Sequence, residues 1–353
     1  MVFVTGGAGF IGSNFVLNCI AEERQKVVNL DKLTYAGNVN NLASLEHNSS
    51  HIFVQGDIGD RTLVRELLQK HSPQMIVHFA AETHVDRSIY HPENFLNTNV
   101  MASFAFLEET LVYWKKLPPN AKNSFRFLNV STDEVYGSLS YTDPPFTENS
   151  PFAPNSPYAA SKASFDHFVR AFHKTYGLPT LSSYSSNNFG PFQFPEKLIP
   201  LIILNAIQGK PLPIYGDGQQ IRQWIYVGDH CDALKLVLER GIPGSNYNIG
   251  SGMECTNLSL VKGICHLLDE LKPDSPYCPH ESLIKHVKDR PGHDLRYSLD
   301  TSKLTKELGW SPKDSFENNL RKTVIWYLDH LPWLENVVSG EYRDWILTHY
   351  EVT

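Results

Sequence analysis

The sequence is short of several features that define large classes of proteins. It has only five cysteines, no two of them form a C-x-x-C pair, and an odd count argues against a disulfide framework. No apolar run approaches the length of a membrane-spanning helix. Basic residues are outnumbered, 31 against 38 acidic ones, and the net charge of −7 disfavours a nucleic-acid-binding face. These absences predict free thiols in a reducing cytosol and a cytoplasmic protein that binds neither nucleic acid nor membrane.

Three other features are not expected. The chain opens directly on an apolar strand and a glycine-rich loop, so we expect no signal peptide. His47 and His51 have the spacing of a helical metal site but flank the loop-like run 48–50, and the other histidines form no cluster, so no metal is predicted. Ser131 lacks a G-x-S-x-G elbow, which disfavours a serine hydrolase.

The first half of the chain alternates short apolar runs with amphipathic stretches, for example Arg61–His71 and Ala102–Lys116. The predicted strands are Val2–Thr5, Lys26–Leu30, Ile52–Val54, Met75–Phe79 and Phe125–Ser131. Such alternation is typical of βαβ units and parallel sheets. The predicted fold class is therefore α/β, with a Rossmann-type, doubly wound parallel sheet.

The character of the chain changes after about Ser185, where prolines and aromatic residues become frequent. The predicted helices beyond this point are Lys197–Gln208, His230–Glu239, Asn257–Glu270, Thr301–Leu308 and Phe316–His330. We interpret this half as a smaller α/β substrate-binding domain that closes over a ligand. The expected division is a NAD-binding domain over 1–186, with return contributions from about 218–240, and a mainly sugar-nucleotide-binding domain over 187–353.

A glycine-rich loop between the first strand and the first helix predicts a dinucleotide site. Gly6, Gly9 and Gly12 have G-x-x-G-x-x-G spacing, which permits a tight turn, a close approach to a pyrophosphate and close packing of helix on strand. The helix N-terminus offers free N–H groups to the anion. Asp31 ends the second strand and can bind a ribose diol. An acid at this point favours NAD over NADP, because it repels a 2′-phosphate.

Asp57 and Ile58 follow the third strand and have two interpretations. They can flank the adenine of the same cofactor, or Asp57 can simply cap the helix that begins at Arg61. The residues alone do not separate these alternatives.

A tyrosine and a lysine with Y-x-x-x-K spacing predict an oxidation site. Tyr158 and Lys162 lie on one face of a predicted helix, Tyr158–Tyr176. A nearby ammonium favours the phenolate, so Lys162 is expected to lower the pKa of Tyr158. Such a tyrosine can take the proton of a substrate alcohol while NAD takes the hydride.

Two adjacent carboxylates follow the fifth predicted strand. In doubly wound folds ligands bind beyond the carboxyl ends of strands, which places Thr132, Asp133 and Glu134 near the predicted cofactor. Thr132 can bond a substrate hydroxyl or the Tyr158 oxygen. One carboxyl is expected to be a protonated acid and the other an ionised base. The alternative is that Asp133 or Glu134 only caps the following turn.

Together, the glycine loop and the Tyr–Lys pair resemble the extended short-chain dehydrogenase/reductase superfamily. A fuller set of motifs resembles one family within it, the dTDP-glucose 4,6-dehydratases, from residue 2 to about residue 335. Those motifs are Asp31–Asn38, Ala80–Ser88, Thr132–Glu134, Ser186–Asn188, Pro195–Leu198 and Arg290–Asp294. The resemblance implies conversion of dTDP-glucose to its 4-dehydro-6-deoxy product and water, with NAD as cofactor, in deoxysugar biosynthesis such as that of dTDP-rhamnose. It also implies a homodimer.

The resemblance also implies roles for individual residues. Tyr158 would deprotonate the C4 hydroxyl, Asp133 would protonate the departing C6 hydroxyl, and Glu134 would remove the C5 proton. Lys162 would hold the nicotinamide ribose, and Thr132 would contact the hexose. The implied cofactor residues are Gly6, Gly9, Phe10, Ile11, Gly12, Asp31, Lys32, Leu33, Thr34, Asp57, Ile58, Phe79, Ala80, Ala81, Thr83, Thr98, Tyr158, Lys162 and Asn188. The implied substrate residues are Thr83, Thr132, Asn187, Lys197, Leu198, Pro213, Ile214, Tyr215, Arg222, Asn248, Arg290 and His293.

Four positions depart from the family pattern. Gln223 stands where an aspartate is usual, Phe189 and Phe192 where tyrosines are usual, and Ser251 where a glycine is usual. The segment Tyr342–Thr353 matches no family motif. The alternatives that remain are a UDP-glucose 4,6-dehydratase, a C4 epimerase, which needs Tyr158 and Lys162 but no acid–base pair, and a non-catalytic NAD-sensing protein.

Overall fold

The computed structural model describes residues 1–21, 25–289 and 291–338, which form twelve strands and thirteen α-helices. The strands are β1 (Val2–Thr5), β2 (Val27–Asp31), β3 (His51–Gln55), β4 (Met75–His78), β5 (Arg126–Thr132), β6 (Thr180–Ser185), β7 (Asn187–Phe189), β8 (Leu212–Tyr215), β9 (Ile221–Tyr226), β10 (Asn246–Ile249), β11 (Glu254–Thr256) and β12 (Ile284–Val287). The α-helices are α1 (Phe10–Ala21), α2 (Arg61–His71), α3 (Val85–Tyr90), α4 (Pro92–Phe95), α5 (Ser103–Lys116), α6 (Pro119–Ser124), α7 (Pro157–Tyr176), α8 (Leu198–Ile207), α9 (Val227–Arg240), α10 (Asn257–Leu271), α11 (Ser302–Leu308), α12 (Phe316–Asp329) and α13 (Leu331–Val338). Short 3-10 helices lie at Val39–Leu45, Asp133–Tyr136 and His280–Leu283, and a π-helix spans Leu96–Ala102.

Seven parallel strands form the main sheet, in the order β10-β6-β5-β4-β1-β2-β3. The chain starts in the middle at β1, moves outward to β3, and returns past β1 to fill the other half. The strand order therefore reverses beside β1, and in open α/β sheets the crevice at such a reversal is where ligands bind.

Two hydrophobic layers cover the sheet. Alternate residues of one strand, such as Val2 and Val4, pack with α1 and α9, while Phe3 between them packs toward α2, α5 and α7. A parallel sheet must be covered on both faces, and the near-continuous apolar runs of its strands meet that need. The predicted doubly wound α/β fold is confirmed.

A second core lies outside this sheet. It joins α8, α10, α12 and α13 to two small sheets, one with the order β11-β9-β7 and one that pairs β8 with β12. We call this part the small lobe. The chain crosses between the two parts more than once, since α9 and β10 pack in the main sheet's layers after β7 and β9 have joined the small lobe.

The five predicted strands are present, each to within one residue at either end. Among the predicted helices, α9 begins three residues early, at Val227 and not at His230. The sequence did not indicate β6 or β10. Arg290 and the segment Tyr342–Thr353 lie outside the described residues. Over the residues that are described, no helix is both long enough and apolar enough to cross a bilayer.

Candidate active site

One large cavity lies beyond the carboxyl ends of β1, β2, β4, β5 and β6. It is the place where most of the predicted site residues meet, although they come from widely separated parts of the chain. Those in its wall are Gly6, Gly9, Phe10, Ile11, Gly12, Asp31, Lys32, Thr34, Asp57, Ile58, Phe79, Ala80, Ala81, Thr83, Thr98, Thr132, Asp133, Glu134, Tyr158, Lys162, Asn187, Asn188 and Lys197.

The glycine loop forms one end of this cavity. Gly6 has a φ of +72°, and a Cβ on it would lie 2.6 Å from the backbone N of Ala80. A Cβ on Gly12 would lie 2.2 Å from the carbonyl oxygen of Gly6, so helix and strand pack without room for a side chain. A Cβ on Gly9 would have the carbonyl oxygen of Gly6 as its nearest atom, at 3.4 Å, and Gly9 lines the cavity. The loop therefore presents bare backbone to a ligand at Gly9.

Asp31 lies at the end of β2, where the fold fixes its carboxylate from two sides. Oδ2 accepts a hydrogen bond from Ala8 N, and Oδ1 accepts one from Leu33 N, both at 2.8 Å. Leu33 itself has a φ of 57° and, unlike its neighbours Lys32 and Thr34, does not line the cavity. Each carboxylate oxygen keeps a second lone pair, so the group can also accept bonds from a diol.

The structure separates the two interpretations of Asp57. Asp60 is the residue that caps α2, since its side chain accepts bonds from Thr62 N and Leu63 N. Asp57 lies in the cavity wall, where it pairs with Lys32 at 2.7 Å and accepts a bond from Gly59 N. The interpretation of Asp57 as a helix cap is therefore wrong.

Asp133 and Glu134 begin the 3-10 turn that follows β5. Thr132 is the residue that caps this turn, because its hydroxyl accepts a bond from Glu134 N at 3.3 Å. The alternative that Asp133 or Glu134 serves only as a cap is therefore wrong. Asp133 is buried, and in the described part of the chain its Oδ2 has no hydrogen-bond partner.

Burial gives Asp133 the character of an acid. Loss of solvation raises the pKa of its carboxyl to about 8, and the neighbouring Glu134 acts in the same direction, against an opposing effect of Arg222. Asp133 therefore carries a proton at neutral pH and can donate it.

Replacing Asp133 by asparagine should make stability less dependent on pH. With a folded-state pKa near 8 against about 3.9 in an unfolded chain, the wild-type carboxyl costs stability as the pH rises through this window, by at most about 1.4 kcal/mol per pH unit. Asp133→Asn removes this cost. The free energy of unfolding of the variant should therefore rise relative to that of the wild type from pH 4 to pH 8, and the difference should stay constant above pH 8. Urea unfolding at several pH values measures the difference. A difference that stays constant would show that Asp133 is ionised when folded.

Tyr158 and Lys162 lie in the first turns of α7, on the face toward the cavity. The Lys162 ammonium donates to the carbonyl oxygen of Val130 on β5 at 2.9 Å. Tyr158 packs edge-on against Phe95, with 6.2 Å between ring centroids. The pKa of Tyr158 is raised, by burial first and then by Glu134, so the expectation of a lowered pKa is wrong for this structure. Besides burial, the carboxylates of Glu134, Asp133 and Asp166 raise this pKa, and the Thr132 hydroxyl opposes them.

Several predicted substrate residues lie away from the cavity wall. They are Leu198, Pro213, Ile214, Tyr215, Arg222, Asn248 and His293. Tyr215 and His293 come together in the small lobe, with 6.1 Å between ring centroids, and the Tyr215 hydroxyl donates to Asp86 at 3.3 Å. Lys197 faces the cavity and donates to the carbonyl oxygen of Thr83 at 3.2 Å. The two lobes thus touch through residues predicted to bind the substrate.

Arg222 and Asn248 are buried rather than exposed to a ligand. Arg222 donates to the carbonyl oxygen of Asp294 at 3.0 Å and stacks on the ring of Tyr297. Asn248 accepts a bond from the Tyr136 hydroxyl and donates to the carbonyl oxygen of Phe146, both at 2.9 Å. A direct contact of Asn248 with substrate would have to replace these bonds, so its assignment stays a prediction.

Two buried carboxylates near the site were not singled out from the sequence. Glu196 accepts a bond from the Tyr35 hydroxyl at 3.3 Å in the cavity wall, and burial raises its pKa to about 7. Asp166 accepts bonds from Asn129 at 2.6 Å and Ser131 at 2.7 Å, one helical turn after Lys162. The i, i+4 spacing from Lys162 was a usable signal for Asp166. For Glu196 the sequence carried no signal beyond its place in the family motif Pro195–Leu198.

The chain is similar to proteins that are named as sugar-nucleotide dehydratases. The family model described as GDP-mannose 4,6 dehydratase matches residues 3–323. A dTDP-glucose 4,6-dehydratase of Xanthomonas campestris pv. campestris strain B100 is 56% identical, over 96% of each chain. One from Neisseria meningitidis serogroup B is 52% identical, over 97% of each. A crystal structure of a double mutant of the Streptomyces venezuelae dTDP-glucose 4,6-dehydratase, with NAD and DAU bound, is 44% identical with a TM-score of 0.86 and covers 96% of this chain and 99% of that one.

The chain belongs to the dTDP-glucose 4,6-dehydratase family. This confirms the resemblance that the motifs indicated. The departures from the family pattern lie outside the cavity wall: Phe189 packs against Trp224 and Tyr226, and Phe192 against Trp326. Gln223 is buried, and its amide donates a hydrogen bond to the carbonyl oxygen of Leu299.

Proposed function

We propose that this chain converts dTDP-D-glucose to dTDP-4-dehydro-6-deoxy-D-glucose and water, as an NAD-dependent hydro-lyase. The observation that carries the proposal is the pair Asp133 and Glu134, placed on one turn beside Tyr158 and Lys162 in the same cavity. A C4 epimerase needs the Tyr–Lys pair alone, and an NAD-sensing protein needs neither pair. The identity of 56% to a dTDP-glucose 4,6-dehydratase supports the same choice.

The residues of the cavity fit NAD. Because Gly9 has no side chain, the cavity beside it has space for a pyrophosphate. The Asp31 carboxylate also lies in the cavity wall, where it can bind a ribose diol. Asp57 and Ile58 would flank the adenine, and Lys162 would hold the nicotinamide ribose. Bound NAD supplies an acceptor, and then a donor, of two electrons and a hydrogen for the sugar.

Tyr158 acts first, as the base that takes the proton of the C4 hydroxyl. Because its pKa is raised, the phenolate needs positive charge beside it, which is the role of Lys162 on the next turn of α7. Burial lowers the pKa of Lys162 itself, and Asp166 opposes that effect. The carbonyl oxygen of Val130 fixes the ammonium in place.

Asp133 and Glu134 then remove water across C5 and C6. Oxidation at C4 makes the C5 proton acidic, and Glu134 takes it. The C6 hydroxyl leaves as water with the proton of Asp133, which that carboxyl holds at neutral pH because its pKa is about 8. Glu134 finally gives its proton back to C5 as the hydride taken from C4 is returned to C6, which restores the oxidised cofactor.

Isotope labels test the proposal directly. A substrate with deuterium at C4 should yield product with deuterium at C6 and not at C5, because the hydrogen leaves C4 and returns to the same sugar inside a closed site. Reaction in heavy water should place deuterium at C5, through exchange at Glu134. Mass spectrometry and NMR of one product locate both labels, and UDP-glucose run in parallel tests the base preference. Label returned to C4 would indicate an epimerase, and label lost from the sugar a simple dehydrogenase.

A homodimer and a cytoplasmic location complete the proposal. Large apolar side chains stay exposed around the outer faces of α5 and α7, namely Met101, Val112, Phe168 and Tyr176. Phe104 and Phe168 join the two helices, with 5.0 Å between ring centroids. Such a surface suits a second copy of this chain. The five free cysteines support a reducing compartment.

A further inference from the structure

A tight turn of the chain covers Asp31, the carboxylate that would bind a ribose of NAD. Residues 34–37 form this turn, which is closed by a hydrogen bond from Gly37 N to the carbonyl oxygen of Thr34 at 2.9 Å. A Cβ on Gly37 would lie 2.9 Å from Asp31 Oδ1, so the turn rests directly on the carboxylate. Three residues of the turn line the cavity, whereas Tyr35 at its tip does not. The position of this part of the wall therefore depends on the contacts that Tyr35 makes.

Tyr35 is held by residues that lie just before α8 of the small lobe. Its hydroxyl donates to Oε1 of Glu196 at 3.3 Å, and its ring meets Phe194 edge-on, with 5.7 Å between ring centroids. Both Phe194 and Glu196 lie in the cavity wall, and the side chain of Glu196 is only 1% exposed. These contacts join the turn after β2 to the segment that leads into the small lobe.

A second loop, after β4, reaches the same carboxylate. The guanidinium carbon of Arg87 lies 3.7 Å from the centroid of the Tyr35 ring, and its Nε lies 3.6 Å from Oε2 of Glu196. His84 Nδ1 accepts a hydrogen bond from Arg87 N, so its Nε2 carries the hydrogen, 3.9 Å from the same oxygen. Glu196 therefore joins the small lobe to two loops of the main sheet.

The residue after Glu196 connects this cluster to the substrate. The Lys197 ammonium lies in the cavity wall and donates to the carbonyl oxygen of Thr83 at 3.2 Å. The diphosphate of the proposed substrate is an anion, and an ammonium in the wall of the same cavity attracts it. Because Glu196 and Lys197 are adjacent in the chain, an anion bound at Lys197 also restrains Glu196.

We propose that Glu196 is a positioning residue that holds the turn at 34–37 over Asp31 and so couples substrate binding to the retention of NAD. While Glu196 holds Tyr35, the turn closes the cavity at Asp31, and NAD leaves only when this contact opens. A ligand at Lys197 favours the closed arrangement. The coupling is reciprocal, so bound NAD raises the affinity for the nucleotide by the same factor. The inference rests on the proposed function, which supplies the nucleotide ligand.

The rate of NAD release tests the hold of Glu196 on the turn. Enzyme loaded with radiolabelled NAD is mixed with excess unlabelled NAD at pH 8, and gel filtration follows the loss of label. Tyr35→Phe keeps the ring and removes the hydroxyl, so release should be faster on the order of 10-fold, the effect of losing a hydrogen bond to a charged group. Tyr113→Phe is the matched control, because the Tyr113 hydroxyl donates to the carbonyl oxygen of Pro73 at 2.9 Å, away from the cavity wall. Release from Tyr35→Phe at the rate of this control would overturn the proposal.

A second variant removes the partner of that hydroxyl. Glu196→Met has a side chain of similar length and neither carboxylate oxygen, so NAD should leave it at least as fast as it leaves Tyr35→Phe. Adding Tyr35→Phe to Glu196→Met should cause no further acceleration, because the hydroxyl has already lost its acceptor. Accelerations that multiply in the double variant would show that the two side chains act independently, against the proposal.

The coupling is measured with dTDP, which carries the diphosphate and cannot react. Saturating dTDP should slow the release of NAD from the wild type by about 5-fold or more, within the usual range of coupling between two sites. In Glu196→Met this slowing should be lost, although calorimetry still shows dTDP bound, since Lys197 is intact. Equal slowing in both proteins would overturn the coupling. A wild type that binds no dTDP would instead refute the proposed function, while the release rates without nucleotide would still decide the role of Glu196.

Discussion

Glu134→Gln should oxidise dTDP-glucose at C4 at a near-normal rate and then lose water on the order of 100-fold more slowly, or worse. The amide keeps the shape of the side chain but cannot take the C5 proton. Asp133 keeps its burial, which is the largest cause of its raised pKa, so the acid of the elimination remains. Rapid-quench analysis should show the 4-keto-glucose nucleotide accumulating before product appears.

A shorter carboxylate provides the matched control for this variant. Glu134→Asp keeps a base on the turn at Asp133–Tyr136, withdrawn by one methylene, and should recover part of the elimination rate. If oxidation and elimination instead slow together in Glu134→Gln, the carboxylate does more than remove the C5 proton. Its charge would then also be needed at Tyr158, whose pKa it raises.

Tyr158→Phe should slow the first step on the order of 1000-fold. The rate of this step is the rate at which the absorbance of the reduced cofactor appears after mixing with substrate. The ring should still pack, because its contact with Phe95 is edge-on and does not use the hydroxyl. Stopped-flow absorbance on the NAD-loaded enzyme measures the step alone.

Another buried tyrosine serves as the control for that experiment. The Tyr136 hydroxyl donates to Asn248 at 2.9 Å, away from the cavity wall, so Tyr136→Phe removes a buried hydrogen bond without removing the base. It should cost stability, about 1 kcal/mol, and leave cofactor reduction intact. Normal cofactor reduction in Tyr158→Phe would contradict the role given to Tyr158.

The parts of the fold that could be predicted from sequence are those with apolar runs or amphipathic periods. Strands such as Met75–His78 are largely buried, and their sequences are nearly continuous apolar runs. β6 was missed because Thr180–Ser185 is mostly polar, although every residue in it is buried. Its serines are satisfied by hydrogen bonds, such as that of Ser183 with the carbonyl oxygen of Asn129, which depend on the neighbouring strand.

The site was predictable where residue type and spacing carry the chemistry. The glycine loop, Asp31 and the Tyr158–Lys162 pair meet in one cavity, and the Asp133–Glu134 pair joins them. What the sequence could not give is the environment. Burial reverses the expected direction for the pKa of Tyr158 and makes Asp133 an acid. Both effects come from packing that no local pattern encodes.

The three glycines of the loop should leave different signatures in a library of random variants. A side chain at Gly6 or Gly12 would collide with the protein's own backbone, at 2.6 and 2.2 Å. Such variants should be recovered mostly as aggregated or degraded chain, whatever NAD is supplied. Gly9 is different, because a methyl group there finds its nearest atom at 3.4 Å and otherwise only the cavity. Gly9→Ala is therefore expected to give abundant folded protein that purifies without cofactor. A growth selection that detects only the reaction product would not distinguish this variant from the misfolded Gly6 and Gly12 variants.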